Sequence, residues 1–166
     1  MYRINKQLLL PTKHIHLGYI CMTIRLATEV DGYYLDVMNR FDRDLFEALK
    51  PPVGMEVAQF TGSKKGDQVI LQFTVPARFT WQSDIVEDGH DDKRAWFVDV
   101  GVILPWPLKT WRHEHIVEHI NQDRSRIVDS MTYECKNAVL TWMIKPFMIG
   151  AFYPRKRIYK QYFSQN

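Results

Sequence analysis

Apolar and polar positions along this chain first alternate in twos and then, over the last third, recur at three and four. Met22–Thr28 alternates as a strand does, and Asp31-Gly32 opens a stretch from Tyr33 to Leu49 whose apolar spacing predicts one or two short helices. Pro51-Pro52 closes that stretch, because proline cannot continue a helix. Strands are predicted over Met55–Phe60, Gln68–Val75, Phe79–Val86 and Trp96–Leu104, then over a histidine-rich segment ending at His119, and over Arg126–Tyr133. The connectors are short and rich in Gly, Asp and Lys, which favours hairpins in an antiparallel meander. From Asn137 to Phe163, the residues Leu140, Met143, Ile144, Phe147, Met148, Ala151, Phe152, Ile158, Tyr159 and Tyr162 make a helical stripe, kinked or restarted at Pro146 and Pro154. The pattern resolves into an α+β protein whose curved antiparallel β-sheet wraps around a long C-terminal helix, leaving a gap between the two.

The histidine-rich strand carries the candidate chemistry. Side chains two apart share a face, so Trp111, His113, His115, Val117 and His119 line one side while Thr110, Arg112, Glu114 and Glu118 line the other. Half-buried strands ordinarily turn aliphatic residues inward; three histidines on the apolar face point to an interior that needs polar groups. The short Asn121–Ser125 link suggests a hairpin in which Asp129 can lie across from the His115–His119 region, where a carboxylate can orient an imidazole; alternation leaves the inward phase of Asp129 open, since Ile127 and Met131 share its face and Val128 and Thr132 the other. A satisfied structural histidine inside the sheet fits the same residues.

With 166 residues, 46% hydrophobic and 13% aromatic, the chain can enclose one substantial core, and one domain is expected. A formal charge of +3 with scattered Lys and Arg gives nucleic-acid binding little support. Cys21 and Cys135 form no ligand pair and read as reduced, buried thiols, and no apolar run matches a membrane span or a secretory signal, so a soluble cytoplasmic protein is expected. Arg155, Lys156, Arg157 and Lys160 read as the solvated face of the last helical turns, with transient contact at an anionic membrane surface as the alternative. Gly62–Asp67 lacks the order of a phosphate-binding loop and reads as a hairpin turn, as does the acidic tip Glu87–Asp92, which lacks the order of a calcium loop.

Several segments together resemble a bacterial ligand-binding branch of the START-like (SRPBCC) superfamily, which includes polyketide cyclases, the birch-pollen allergen and coenzyme Q-binding proteins. They are Leu49-Lys50-Pro51-Pro52, Phe60–Asp67, the Pro-Leu-Lys-x-Trp-x-His-x-His run from Pro107 to His115, Ile127-x-Asp129 with Tyr133, and Phe152-x-x-Arg155-Lys156-Arg157. The resemblance spans Met22 to Phe163 and sets residues 1–21 apart as an N-terminal extension, either loosely docked or preceding a natural start at Met22. It implies the helix-grip fold, with two short N-terminal helices, and a deep apolar cavity between the sheet and the C-terminal helix. Phe73, Trp81, Trp96, Trp111, Met131, Met143, Phe147 and Met148 suit such a lining, being bulky and soft, although mutual core packing would use the same residues. Burying about 300 Å² of apolar ligand surface at ~25 cal/mol/Å² is worth roughly 7 kcal/mol before ordering costs, so greasy walls can supply affinity while His113, His115 and Asp129 supply selectivity.

The expected function is therefore binding or transport of a small hydrophobic molecule: a lipid, isoprenoid or aromatic metabolite. A second reading makes the protein a cyclase- or dehydratase-type enzyme, with His113 or His115 as general acid or base on a polyketide-like substrate and Arg25 or Tyr133 polarising a carbonyl. A third is a protein-interaction module, which would show an exposed apolar patch and a self-filled interior. A metal at His113, His115 and His119 would use the shared face of H-x-H, but no histidine follows His119, so no metal or other cofactor is expected.

Overall fold

The computed structural model describes residues 20–50, 54–75 and 77–164. The N-terminal extension, apart from Ile20 and Cys21, lies outside the described residues, as do Pro51 and Pro52. Cys135 is buried as expected, but Cys21 is exposed, because it precedes the first strand. Seven antiparallel strands form one sheet in the order β1-β7-β6-β5-β4-β3-β2, with β1 at Met22–Asp31, β2 at Met55–Phe60, β3 at Gln68–Phe73, β4 at Phe79–His90, β5 at Arg94–Ile103, β6 at Leu108–Asn121 and β7 at Arg124–Cys135. Two short helices, α1 (Tyr34–Asn39) and α2 (Arg43–Leu49), follow β1, and α3 (Ala138–Phe152) and α4 (Arg155–Phe163) end the chain.

The local causes are those the pattern implies. Asp42 caps α2 by accepting from the Leu45 amide, and Asn137 caps α3 by accepting from the Leu140 amide at 2.9 Å. Strands β2 to β7 join through hairpins, and β6 and β7 pair along nearly their whole length. The Gly62–Asp67 turn needs left-handed backbone at Gly66 (φ +97°), and the Asp67 carboxylate accepts from the Lys64 amide and the Thr61 hydroxyl. At the acidic tip, Asp91 likewise accepts from the Lys93 and Arg94 amides.

The C-terminal stripe is two helices rather than one. Pro146 is accommodated inside α3, whereas Pro154 starts α4, where its missing N–H costs nothing. Helices α1, α2 and α4 close one half of the concave face around Leu45, Phe41, Phe97, Ile127 and Tyr159; α3 covers the other half over Met131, Tyr133, Cys135 and Met148. Only Thr141 and Met148 of α3 are buried, so this helix rests lightly on the sheet.

Candidate functional site

Where the two halves of the core meet, four ionisable side chains lie next to one another across three strands. In β5 the inward phase runs Ala95, Phe97, Asp99; these residues face Val117, His115 and His113 of β6, and His115 in turn faces Asp129 of β7. All four members, Asp99, His113, His115 and Asp129, are buried. His113 Nε2 meets Asp129 Oδ1 at 3.0 Å, while its Nδ1 is 3.6 Å from Asp99 Oδ2. His115 Nε2 meets the same Asp99 Oδ2 at 3.3 Å. Its Nδ1 lies 3.5 Å from Asp129 Oδ1 without making a hydrogen bond.

The surroundings fix each group. Trp111 Nε1 donates to Asp99 Oδ1 at 3.0 Å, and the Tyr159 hydroxyl donates to Asp129 Oδ1 at 3.4 Å. Phe97 stacks on His115 with ring centres 4.2 Å apart, and Phe152 meets His113 edge to face. Burial disfavours the imidazolium of His115, and the neighbouring His113 adds to this, so its pKa falls to about 4 despite the Asp99 hydrogen bond. Burial alone would raise the Asp129 carboxyl, but the His113 hydrogen bond and the facing imidazoles outweigh it and hold the pKa at about 2. Asp99 is lowered in the same way, burial being opposed by His115 and His113. Burying two ionised carboxylates costs several kcal/mol per ion before partners are counted, so apolar residues here would make a more stable core. A neutral imidazole beside a carboxylate can accept a proton, and the pair can bind a polar group of a guest or a metal ion.

No protein-family model and no curated protein sequence matches the chain. Solved structures do. Norcoclaurine synthase from Thalictrum flavum aligns with a TM-score of 0.68 at 14% identity, covering 98% of this chain and 100% of that one. A START superfamily protein from Mycobacterium smegmatis aligns at 0.65 and 9% identity, covering 89% of this chain and 99% of that one. The Zhui aromatase/cyclase from Streptomyces sp. R1128 aligns at 0.54 and 14% identity, over 72% of this chain and 71% of that one. The fold is the START-like helix-grip fold. Proteins of known structure with this fold thus include both a START protein and enzymes that the names identify as a synthase and a cyclase.

On this START-like frame the expected site residues divide. Trp111, His113, His115, Asp129, Met131 and Met148 are buried at or beside the cluster, and Trp81 joins them, edge to face with Trp111 at 4.9 Å and donating to Ser83 Oγ. Phe73 does not: it stacks on Phe79 at the β3–β4 end, beside an open pocket of about 350 Å³. Trp96 is also displaced, because its phase in β5 is opposite to that of Phe97 and Asp99; it donates to Glu87 and lies under Arg94. Met143 and Phe147 are each 68% exposed, since α3 turns them away from the sheet. His119 shares the phase of His115 but has reached the exposed end of β6, where a register shift begins, and packs against Tyr33 and Tyr34. Arg25 pairs with Glu118 on the outer face, so it cannot serve the interior, and the Tyr133 hydroxyl is committed to the Thr141 carbonyl. The ground expected as a cavity is filled by Trp111, Met131, Tyr133, Met148 and Phe152; neither that open pocket nor one of about 40 Å³ by α1 lies beneath α3.

Sequence reasoning missed Asp99 and Tyr159 as site residues. The signal for Asp99 was present: a lone carboxylate in the apolar run Trp96-Phe97-Val98-Asp99-Val100, in phase with Phe97. Tyr159 had no such signal, because a tyrosine in a helical stripe reads as core.

Proposed function

We propose that the protein binds a small, largely apolar molecule between α3 and the sheet, a lipid, isoprenoid or aromatic metabolite, and that the Asp99–His113–His115–Asp129 cluster engages a polar group on it. The observation that carries this reading is the burial of four ionisable side chains at the centre of the concave face, where stability alone would favour apolar residues. The light seating of α3 supports it, since Met148 and Phe152 can give way without unfolding the sheet. The fold supports a ligand-binding or a cyclase role equally. Catalysis is the second reading, favoured by the geometry of two buried carboxylates each paired with an imidazole, His113 with Asp129 and His115 with Asp99; a pKa of about 4 leaves His115 neutral at pH 7 but a weak base there.

The filled interior and the exposed apolar face on α3 are the two features expected of a protein-interaction module, which they favour as a third reading; the same face supports transient contact with a membrane surface as the route by which a bound molecule is exchanged. Val139, Trp142, Met143 and Phe147 face outward, and the segment from Asn137 to Phe163 carries Lys145, Arg155, Lys156, Arg157 and Lys160 with no acidic residue. Among the described residues no helix is long and apolar enough to cross a membrane.

Native mass spectrometry of the gently purified protein, followed by organic extraction, tests the binding reading. A stoichiometric apolar adduct is expected, and it should be absent from an Asp129→Asn variant that remains folded. An adduct-free protein that also retains no compound from a panel of isoprenoids, fatty acids and aromatic polyketides would refute it. Turnover of a retained compound, lost in His115→Gln, would move the assignment from binding to catalysis.

A further inference from the structure

The donor atoms of the buried cluster divide by position into an inner and an outer set. Asp99, His113 and His115 each offer one ligand atom within 4.8 Å of the others, and Asp99 Oδ2 faces both His113 Nδ1 and His115 Nε2. The two separations from Asp99 Oδ2, 3.3 Å to His115 and 3.6 Å to His113, match the edge of a tetrahedron built on an ion with bonds of about 2.0–2.2 Å, roughly 3.3–3.6 Å. The far nitrogen of His113, Nε2, is hydrogen-bonded to Asp129 Oδ1 at 3.0 Å, while His115 Nδ1 lies 3.5 Å from the same oxygen without a hydrogen bond. Metal-bound imidazoles are held in this way by a carboxylate on the far nitrogen. Trp111 occupies Asp99 Oδ1, which leaves Oδ2 for the inner set. Charge points in the same direction. Two buried carboxylates facing two imidazoles carry net negative charge unless both rings are protonated, and a divalent cation removes it.

We propose that Asp99, His113 and His115 form a binding site for one divalent transition-metal ion, with Asp129 orienting the His113 imidazole and Tyr159 anchoring Asp129. Two imidazoles and one carboxylate suit zinc or a neighbouring first-row ion and leave a coordination position for water or a guest. The site is independent of the binding reading: a retained apolar compound without metal would leave that reading standing and remove this one, and the converse holds.

The test uses the full chain, stripped with a chelator and titrated with Zn²⁺. One ion per chain is expected, with a rise in Tm that depends on Zn²⁺ concentration. In long-range ¹H–¹⁵N spectra of the unmutated protein, the His113 Nδ1 and His115 Nε2 resonances should move to the metal-bound range while those of His119 and His90 stay in place. Asp99→Ala should lower affinity at least ~100-fold, and Asp129→Asn by about 10–100-fold. His119→Ala should leave it unchanged. Failure to bind a stoichiometric ion overturns the proposal, as does an ion that leaves both imidazoles unshifted; because those spectra need no variant, a misfolded Asp99→Ala cannot obscure the result.

Discussion

The centre of the concave sheet and the outer face of α3 reverse the usual distribution of polarity. Asp99, His113, His115 and Asp129 are buried where aliphatic residues would pack at no electrostatic cost, and Trp142, Met143 and Phe147 are exposed where charged residues would dissolve freely. The first departure costs several kcal/mol of desolvation per ion, offset only by the tight pairing of the cluster. The second gives up about 1.5–3 kcal/mol for each large side chain left in water. Neither arrangement maximises stability, and these are the two places where the proposed partners would be met: a small guest or ion at the buried cluster, an apolar surface at the helix. They also differ in rigidity, since the cluster is cross-linked over three strands and α3 is held by Met148, Thr141 and the hydroxyl of Tyr133.

The largest effect should come from breaking the buried network by halves. Asp129→Ala leaves His113 and Tyr159 facing an uncompensated hole and should cost about 3–5 kcal/mol in urea unfolding of chelator-treated protein. The paired change His113→Leu with Asp129→Leu should recover most of that loss, because well-packed apolar residues replace a buried ion pair at little net cost. A single variant costing under ~1 kcal/mol would show that the cluster is already solvated.

A smaller effect concerns how α3 is held. Burial lifts the Tyr133 hydroxyl to about 12 from an ordinary value near 10. The unfolded chain therefore releases this proton first as pH rises, so the stabilisation is complete below pH ~10 and is lost between about 10 and 12. Tyr133→Phe should weaken that alkaline loss and cost roughly 1 kcal/mol at neutral pH through the hydrogen bond to the Thr141 carbonyl. Urea midpoints from pH 7 to 11 for both proteins check this, and an unchanged alkaline slope in the variant would refute it.

The smallest effect is expected on the exposed face. Trp142→Ser and Phe147→Ser should each change stability by no more than about 0.5 kcal/mol, yet together reduce binding to vesicles of mixed neutral and anionic lipid severalfold. A loss of several kcal/mol in either would mean that this face is packed in solution, against another copy or another part of the chain.

Much of the fold was legible in the sequence because its elements are local. Period-two alternation fixed the strands, and the breakers at Gly62–Asp67 and Pro154 fixed where segments end. Part of the candidate site was legible for the same reason: a tight hairpin after Asn121 brings Asp129 into the His115–His119 region, but only the register shift between His119 and Asn121 sets Asp129, rather than Ser130, opposite His115. Asp99 was harder, because its meeting with His113 depends on the pairing of β5 with β6, which no local pattern encodes. Met143 and Phe147 misled because an apolar stripe states which residues avoid water, not which of two faces finds a partner.

The sequence by itself determined the order of strands and helices, the inward phase of the histidines and the hairpin that brings Asp129 near them, all set by backbone periodicity and short-range sterics. Only the tertiary structure decided that Asp129 stands opposite His115, that two carboxylates from different strands would close around two imidazoles, and that, among the described residues, α3 would bury one apolar face and leave the other exposed. Those outcomes depend on cross-strand register and helix rotation, which are set by packing over the whole sheet.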